Sequence, residues 1–218
     1  MKKIIEVAYN LSNRPTRQAI HSFATAVFGH ESKSIRSLHY DPKSNRTSFR
    51  FFDGETPAEI RQFTSSLGLT KAQLESEKVI SVPDGKFFIE IELSKESTRK
   101  RTETGHKKMP LVEYKEGFKG INFDRDEIAK VFAECGMVLH RLVDLEILNN
   151  FEIKRGESGP IFGHNNFRAV LEISASDTEK LALSFVLGMG KRRSYGLGFI
   201  RILSAEEVES RYELKETV

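Results

Sequence analysis

Two successive passes of strand-helix-strand-strand-helix-strand periodicity predict an α+β protein of two tandem ferredoxin-like (βαββαβ, RRM-like) units. Three observations carry that expectation. Apolar residues alternate at period two in several short runs, recur at i, i+3 and i+4 in others, and the runs are separated by Gly, Pro or helix-capping residues. The 218 residues suffice for one large domain or two small ones.

The first unit is expected over residues 1–95. Ile5, Val7 and Tyr9 share one face of a strand over 3–9. Pro15 suits a first helical position, and Ile20, Phe23, Ala24, Val27 and Phe28 then form an apolar helical stripe. Strands over 34–40 and 47–52 follow, with Phe49 and Phe51 facing inward. Thr56-Pro57-Ala58-Glu59 is a capping box opening a helix through Leu67. Phe87, Ile89, Ile91 and Leu93 alternate with polar neighbours and read as the strand that closes the unit.

Residues 96–109 are polar and cationic without a period, and read as a basic linker. They are either a solvated connection or a segment ordered by nucleic acid. The second unit is expected over 110–204. Its elements are a strand within 110–118, a helix opened by Asp124-Arg125-Asp126-Glu127, and a strand over 137–147. A hairpin tip or long loop over 148–165 leads to a strand through Phe167, Ala169, Leu171 and Ile173. Ser176-Asp177-Thr178-Glu179 then caps a helix ending at Gly188, and a glycine-rich loop returns the chain to a strand at 196–203. Residues 205–218 form a charged tail.

Composition excludes more than it selects. Hydrophobic content of 39% beside 30% charge is ordinary for a soluble globular protein, and a net charge of +3 decides little by itself. The single Cys135 excludes an intramolecular disulfide and a cysteine-built zinc site. No apolar run reaches membrane-spanning length, so a cytoplasmic protein without a membrane partner is expected. No G-x-S-x-G elbow, HExxH or His-x-His motif occurs, and neither a metal nor a cofactor is expected.

Two stretches carry chemistry. Leu187-Gly188-Met189-Gly190-Lys191-Arg192-Arg193-Ser194-Tyr195-Gly196-Leu197-Gly198 sets four glycines around three cations. Its helix-to-strand order does not suit a dinucleotide fingerprint, and it lacks the G-K-[ST] of a P-loop. It is either a helix cap running into a tight turn or a contact for a phosphate backbone, with backbone N–H groups forming an anion-binding concavity. On the first helix, Arg17 and His21 stand at i, i+4 beside the apolar stripe, with Arg14 just before Pro15. His21 is either a packed structural residue or a proton carrier suited to neutral pH, and Arg17 would then stabilise charge on a phosphate oxygen.

Three stretches in order resemble the CasE family, the CRISPR precursor-RNA endoribonucleases of the RAMP superfamily that serve Cascade-type complexes. They are Arg17-Gln18-Ala19-Ile20-His21 running to Val27-Phe28, then Phe87–Leu93 through Lys107-Lys108-Met109-Pro110-Leu111, and the glycine-rich loop. Two departures stand out: Gln18 replaces the family's tyrosine, and Lys191, Arg192 and Arg193 are shifted relative to its lysine.

The resemblance implies metal-independent cleavage of repeat hairpins in precursor CRISPR RNA, giving 2′,3′-cyclic phosphate and 5′-hydroxyl ends. It casts His21 as general acid or base and Arg17 as stabiliser. RNA would be held by Arg14, Arg99, Lys100, Arg101, Lys107, Lys108, Lys154, Arg155, Lys191, Arg192 and Arg193, and along the loop glycines Gly188, Gly190, Gly196 and Gly198. The implied partners are precursor and mature CRISPR RNA and other Cas subunits of a Cascade-like effector complex, in which the product is retained. The alternative is a non-catalytic RAMP subunit that binds CRISPR RNA as scaffold. An RRM-type single-strand binder would need exposed aromatics on a sheet face, and only Phe88 suggests one.

Overall fold

The computed structural model describes residues 3–10, 19, 21–22, 38–41, 46–54, 73–94, 96–102, 105–110, 112–114, 121–123, 125–154, 161–190, 193 and 196–212. Four strands form the first sheet: β1 (Ile4–Asn10), β2 (His39–Asp41), β3 (Arg46–Phe52) and β4 (Gln73–Ile80), in the order β2-β3-β1-β4. The second sheet contains β5 (Lys86–Ser94), β10 (Met137–Lys154), β11 (Ile161–Ala175) and β12 (Ile200–Leu203), in the order β10-β11-β5-β12. In each sheet the unit's second, third, first and fourth strands lie side by side, and every pairing is antiparallel. The two ferredoxin-like units expected from the periodicity are therefore present.

The membership of one strand differs from expectation. The alternating run through Phe87 and Leu93 does not close the first sheet; as β5 it opens the second. Alternation fixes that a strand exists and which face it buries, but partners are chosen by matching surfaces. Here Phe87, Ile89, Ile91 and Leu93 lie opposite Ile173, Leu171, Ala169 and Phe167 of β11, and all eight are buried. Burying each large apolar side chain of such a pair contributes about 1.5–3 kcal/mol. The place expected for β5 is taken by β4, whose Gln73-Leu-Glu-Ser-Glu-Lys-Val-Ile80 sequence is too polar to show an apolar period.

Between β5 and the next helix lie two small ribbons: β6 (Glu96–Thr102) with β7 (Gly105–Pro110), and β8 (Val112–Tyr114) with β9 (Ile121–Phe123). The expected linker thus forms an antiparallel hairpin, and the described part of the strand expected within 110–118 is the short β8. Helix α1 (Arg125–Glu134) buries Ile128 and Phe132. Helix α2 (Thr178–Leu187) is capped by Asp177, whose carboxylate accepts from the Glu179 and Lys180 amides, and ends at Gly188. Both helices pack on the apolar face shared by β5 and β11. The charged tail begins with helix α3 (Ala205–Arg211), opened by a Ser204/Glu207 capping box. No helix among the described residues is long and apolar enough to cross a membrane.

Helix α2 also packs against β1 and β3 of the first sheet. This explains why β1 buries Ile4, Glu6 and Ala8 as well as Val7 from its other face. Phe49 and Phe51 are buried as expected.

Candidate nucleic-acid interface

The end of β5 gathers most of the residues expected to meet RNA. Ser94, its last residue, pairs with Asn166 of β11. β11 runs antiparallel, so its residues 161–165 continue past the sheet, paired only with β10 down to Ile161 opposite Lys154. At 3.4 Å per residue this two-stranded arm extends roughly 17 Å. The pairing along β10 shifts register three times, the last between Leu148 and Phe151 at the base of the arm. Of the hairpin tip or long loop expected over 148–165, residues 148–154 and 161–165 are the two strands of this arm, in keeping with the hairpin reading.

The β6–β7 ribbon leaves from the same end, because β6 follows Ser94 in the chain. Thr98 pairs with Lys108 and Arg101 with His106, while Arg99 and Lys100 fall in the irregularity between. All five expected cations of the segment, Arg99, Lys100, Arg101, Lys107 and Lys108, therefore lie on one ribbon.

The glycine-rich loop arrives at this end too. Ile200 pairs with Ile91, and the Gly198 amide donates to the Glu92 carbonyl at 2.7 Å. Glu92 in turn accepts from the buried Asn166 amide. All four loop glycines have positive φ, between 73° and 85°. At Gly198 a Cβ would also collide with the Met189 carbonyl, while the Met189 amide donates to the Gly198 carbonyl at 2.9 Å. Met189, Leu197 and Phe199 are buried, so the loop is pinned through its apolar residues.

The loop's backbone differs from the expected anion cradle. The amides of Gly188, Gly196 and Gly198 donate to the carbonyls of Ser184, Arg193 and Glu92. The tight helix-to-strand turn consumes these donors internally. Arg193 is half-buried and donates to the Leu187 carbonyl at 3.2 Å, so it covers the end of α2, and burial draws its guanidinium below the ordinary arginine value. Lys191, Arg192, Arg14, Arg17 and Arg155 lie outside the described residues.

His21 belongs to the other unit. Ala19, His21 and Ser22 are helical, and only His21 of the three is partly buried. Its Nδ1 is shielded from solvent, while the apolar stripe expected beside it (Ile20, Phe23, Ala24, Val27 and Phe28) lies outside the described residues. Cys135 offers no competing nucleophile, because burial pushes its thiol up against the smaller opposing effect of the Ser184 hydroxyl.

No family model matches the chain, and no curated protein matches it in sequence. Solved structures do share its fold over nearly its whole length. Thermus thermophilus Cse3 bound to an RNA representing a pre-cleavage complex superposes with a TM-score of 0.56 at 10% identity. That likeness covers 93% of this chain and 100% of the other. Cas6e from Escherichia coli K-12 gives 0.51 at 11% identity, covering 92% of this chain and 98% of that one. A chain of a CRISPR RNA-guided surveillance complex, pre-nicking, gives 0.55 at 12% identity with the same two coverages. At such identity the likeness establishes a shared fold.

The outer face of the second sheet is closed to an RRM-type mode. Phe88 packs with Val170, Leu203 and Val208 beneath α3, and the Arg141 guanidinium lies 5.9 Å from its ring centre. Around it, Arg201 pairs with Glu90 and Glu207, and Arg168 with Glu146.

Sequence reasoning missed a buried group between the units. Arg50 of β3 lies directly opposite Glu6 of β1, which lies opposite Lys78 of β4 on its other side. The Arg50 Nε donates to Glu6 at 2.8 Å and the Lys78 ammonium stands 2.9 Å from the same carboxylate. Burial would raise the Glu6 carboxyl, but Arg50 and Lys78 together hold it below its usual value. His39 stacks on Phe199 of the glycine-rich loop, ring centres 5.2 Å apart. Burial, aided by Arg201, lowers its affinity for a proton. The available signal was a charge inside the aromatic strand Phe49-Arg50-Phe51-Phe52.

Proposed function

We propose that this protein is a CRISPR RNA-processing endoribonuclease that binds and cleaves repeat hairpins of precursor CRISPR RNA. The observation that carries the reading is the convergence of the basic β6–β7 ribbon, the β10–β11 arm and the glycine-rich loop at one end of the second sheet. Ribbon and arm are extended, polar at their cationic positions and suited to the backbone and shape of an RNA duplex. The fold shared with RNA-bound Cse3 and with Cas6e supports the same assignment.

The RNA supplies its own nucleophile. The 2′-hydroxyl beside the scissile phosphate attacks phosphorus in line, and the bond to the 5′ oxygen breaks. The products are a 2′,3′-cyclic phosphate and a 5′-hydroxyl. One proton leaves the attacking hydroxyl and one reaches the departing oxygen, so the protein's tasks are alignment, proton transfer and charge stabilisation. His21 carries one of these protons, and Arg17 stabilises the phosphate charge. No step calls for a metal ion. Lys154 on the arm and the ribbon cations hold the hairpin before and after cleavage, and the cut RNA stays bound within a Cascade-like effector complex.

The test is incubation with repeat-hairpin RNA in EDTA, followed by analysis of the cut ends. One defined cut with cyclic-phosphate and 5′-hydroxyl termini is expected. Tight binding without a cut would favour a non-catalytic scaffold subunit, and a requirement for Mg²⁺ would overturn the acid–base mechanism.

A further inference from the structure

The Arg50 guanidinium holds both stems of the glycine-rich loop from the opposite unit. Its Nη1 donates to the Ile200 carbonyl at 2.7 Å, at the point where the loop becomes β12. The same nitrogen stands 3.5 Å from the carbonyl of Phe185, on the helix that feeds the loop. The guanidinium carbon lies 4.2 Å from the Phe199 ring centre and 5.2 Å from that of Phe185. Its remaining edge is held by Glu6, at 2.8 Å to Nε and 2.7 Å to Nη2. Arg50 is 3% exposed, and both Glu6 and Arg50 are carried by central strands of the sheet whose chain also bears His21.

From this geometry we infer that Arg50 is a positioning residue for RNA cleavage, a clamp that fixes the loop and the second sheet against the His21 unit. It touches neither the helix of His21 nor the cationic ribbon in any described contact, so its effect passes through the relation of the two units. Only a planar fork can hold one carboxylate, two carbonyls and two ring faces together, so lysine cannot replace it. The inference rests on the proposed function for its consequence in RNA, and its structural half can be tested without RNA.

Spin labels at Val79→Cys on β4 and Val138→Cys on β10, both exposed positions of different units, in a Cys135→Ala background, report the distance between units by pulsed electron paramagnetic resonance. Arg50→Lys should broaden or shift that distance distribution while each unit keeps its circular dichroism. At saturating hairpin RNA its cleavage rate should fall about 100-fold with nearly unchanged affinity, the penalty of a misplaced reacting group. If Arg50→Lys fails to fold, the paired Arg50→Met, Glu6→Gln variant removes the buried charge and should show the same broadening. An unaltered distribution in either folded variant overturns the clamp, whatever the RNA does. A broadened distribution with a normal cleavage rate overturns its positioning role. Failure of the unaltered protein to cut RNA would instead overturn the function assigned to it, leaving the distance result to decide the clamp.

Discussion

The two four-stranded sheets have the same strand order and different surroundings. The first is kept short at its β2 edge, and its inner face is shut against α2 of the other unit. The second has long β10 and β11 strands, a basic ribbon inserted after β5, and α3 laid over its outer face. Among the described residues, the additions to this repeated scaffold lie on the second copy. The described cationic ribbon and the two-stranded arm belong to the second copy, whereas His21 belongs to the first. The function proposed above would divide gripping and cutting between different copies of one fold, with the Arg50 seam joining them.

The largest expected effect breaks the chemical side of that contrast. His21→Ala should slow single-turnover cleavage by about 10²–10⁴-fold, the usual contribution of general acid–base catalysis, while a filter-binding assay finds hairpin affinity nearly unchanged. Retained cutting would remove His21 from the mechanism. Next, Gly198→Ala strikes the scaffold of the gripping copy. Positive φ and the collision with Met189 should cost on the order of 3 kcal/mol in urea unfolding, with a smaller loss for Ala at the exposed turn glycine Gly85, which shares the positive φ but where a Cβ would meet no atom.

Charge reversal at Arg99, Lys100 and Arg101 tests the ribbon alone. Hairpin affinity should fall about 100-fold, or about 2.7 kcal/mol, with the salt slope flattened by roughly two to three units. A slope unchanged from the unaltered protein would return the ribbon to a purely structural role.

The smallest effect concerns the seam. Folding depresses the proton affinity of both His39 and Glu6, so the unfolded chain binds more protons than the native one on the acid side. The stability each contributes is fully present above its unfolded value, 6.5 for His39 and 4.5 for Glu6. Stability should therefore fall in two steps as pH drops, first below 6.5 and again below 4.5. His39→Gln should erase the upper step in urea titrations across that range. Persistence of that step would place its origin elsewhere.

Much of this architecture was legible where one face of an element is apolar and the other polar. β5 and β11 alternate cleanly, and α2 carries its cap and its terminal glycine in sequence. What was not legible depends on partners. β4 is an edge strand held by backbone pairing, so its Glu and Lys residues conceal it. Residues 96–110 look like linker because their sequence is polar and cationic and shows no apolar period, although they pair as a ribbon. The charges of the tail suit either a helix or a frayed end, and the Ser204/Glu207 box marks the helix α3 with which it begins. Of the site, the histidine's boundary position and the loop's glycines could be read directly. The internal use of the glycine amides could not, because only the folded turn brings Ser184, Arg193 and Glu92 to them.

The Arg50 contacts also impose an order on synthesis. Glu6 lies 44 residues before Arg50 and can meet it while the first sheet forms, but Ile200 lies 150 residues after it. At about 5–20 residues per second on a ribosome, that interval lasts roughly 8–30 s. During it the nascent first sheet exposes a guanidinium and an aromatic-lined face with no α2 to cover them. Glu6 and Lys78 both precede α2 by about a hundred residues or more, so the guanidinium can rest on its carboxylate partner early and only its contacts with the loop stems wait for the end of synthesis.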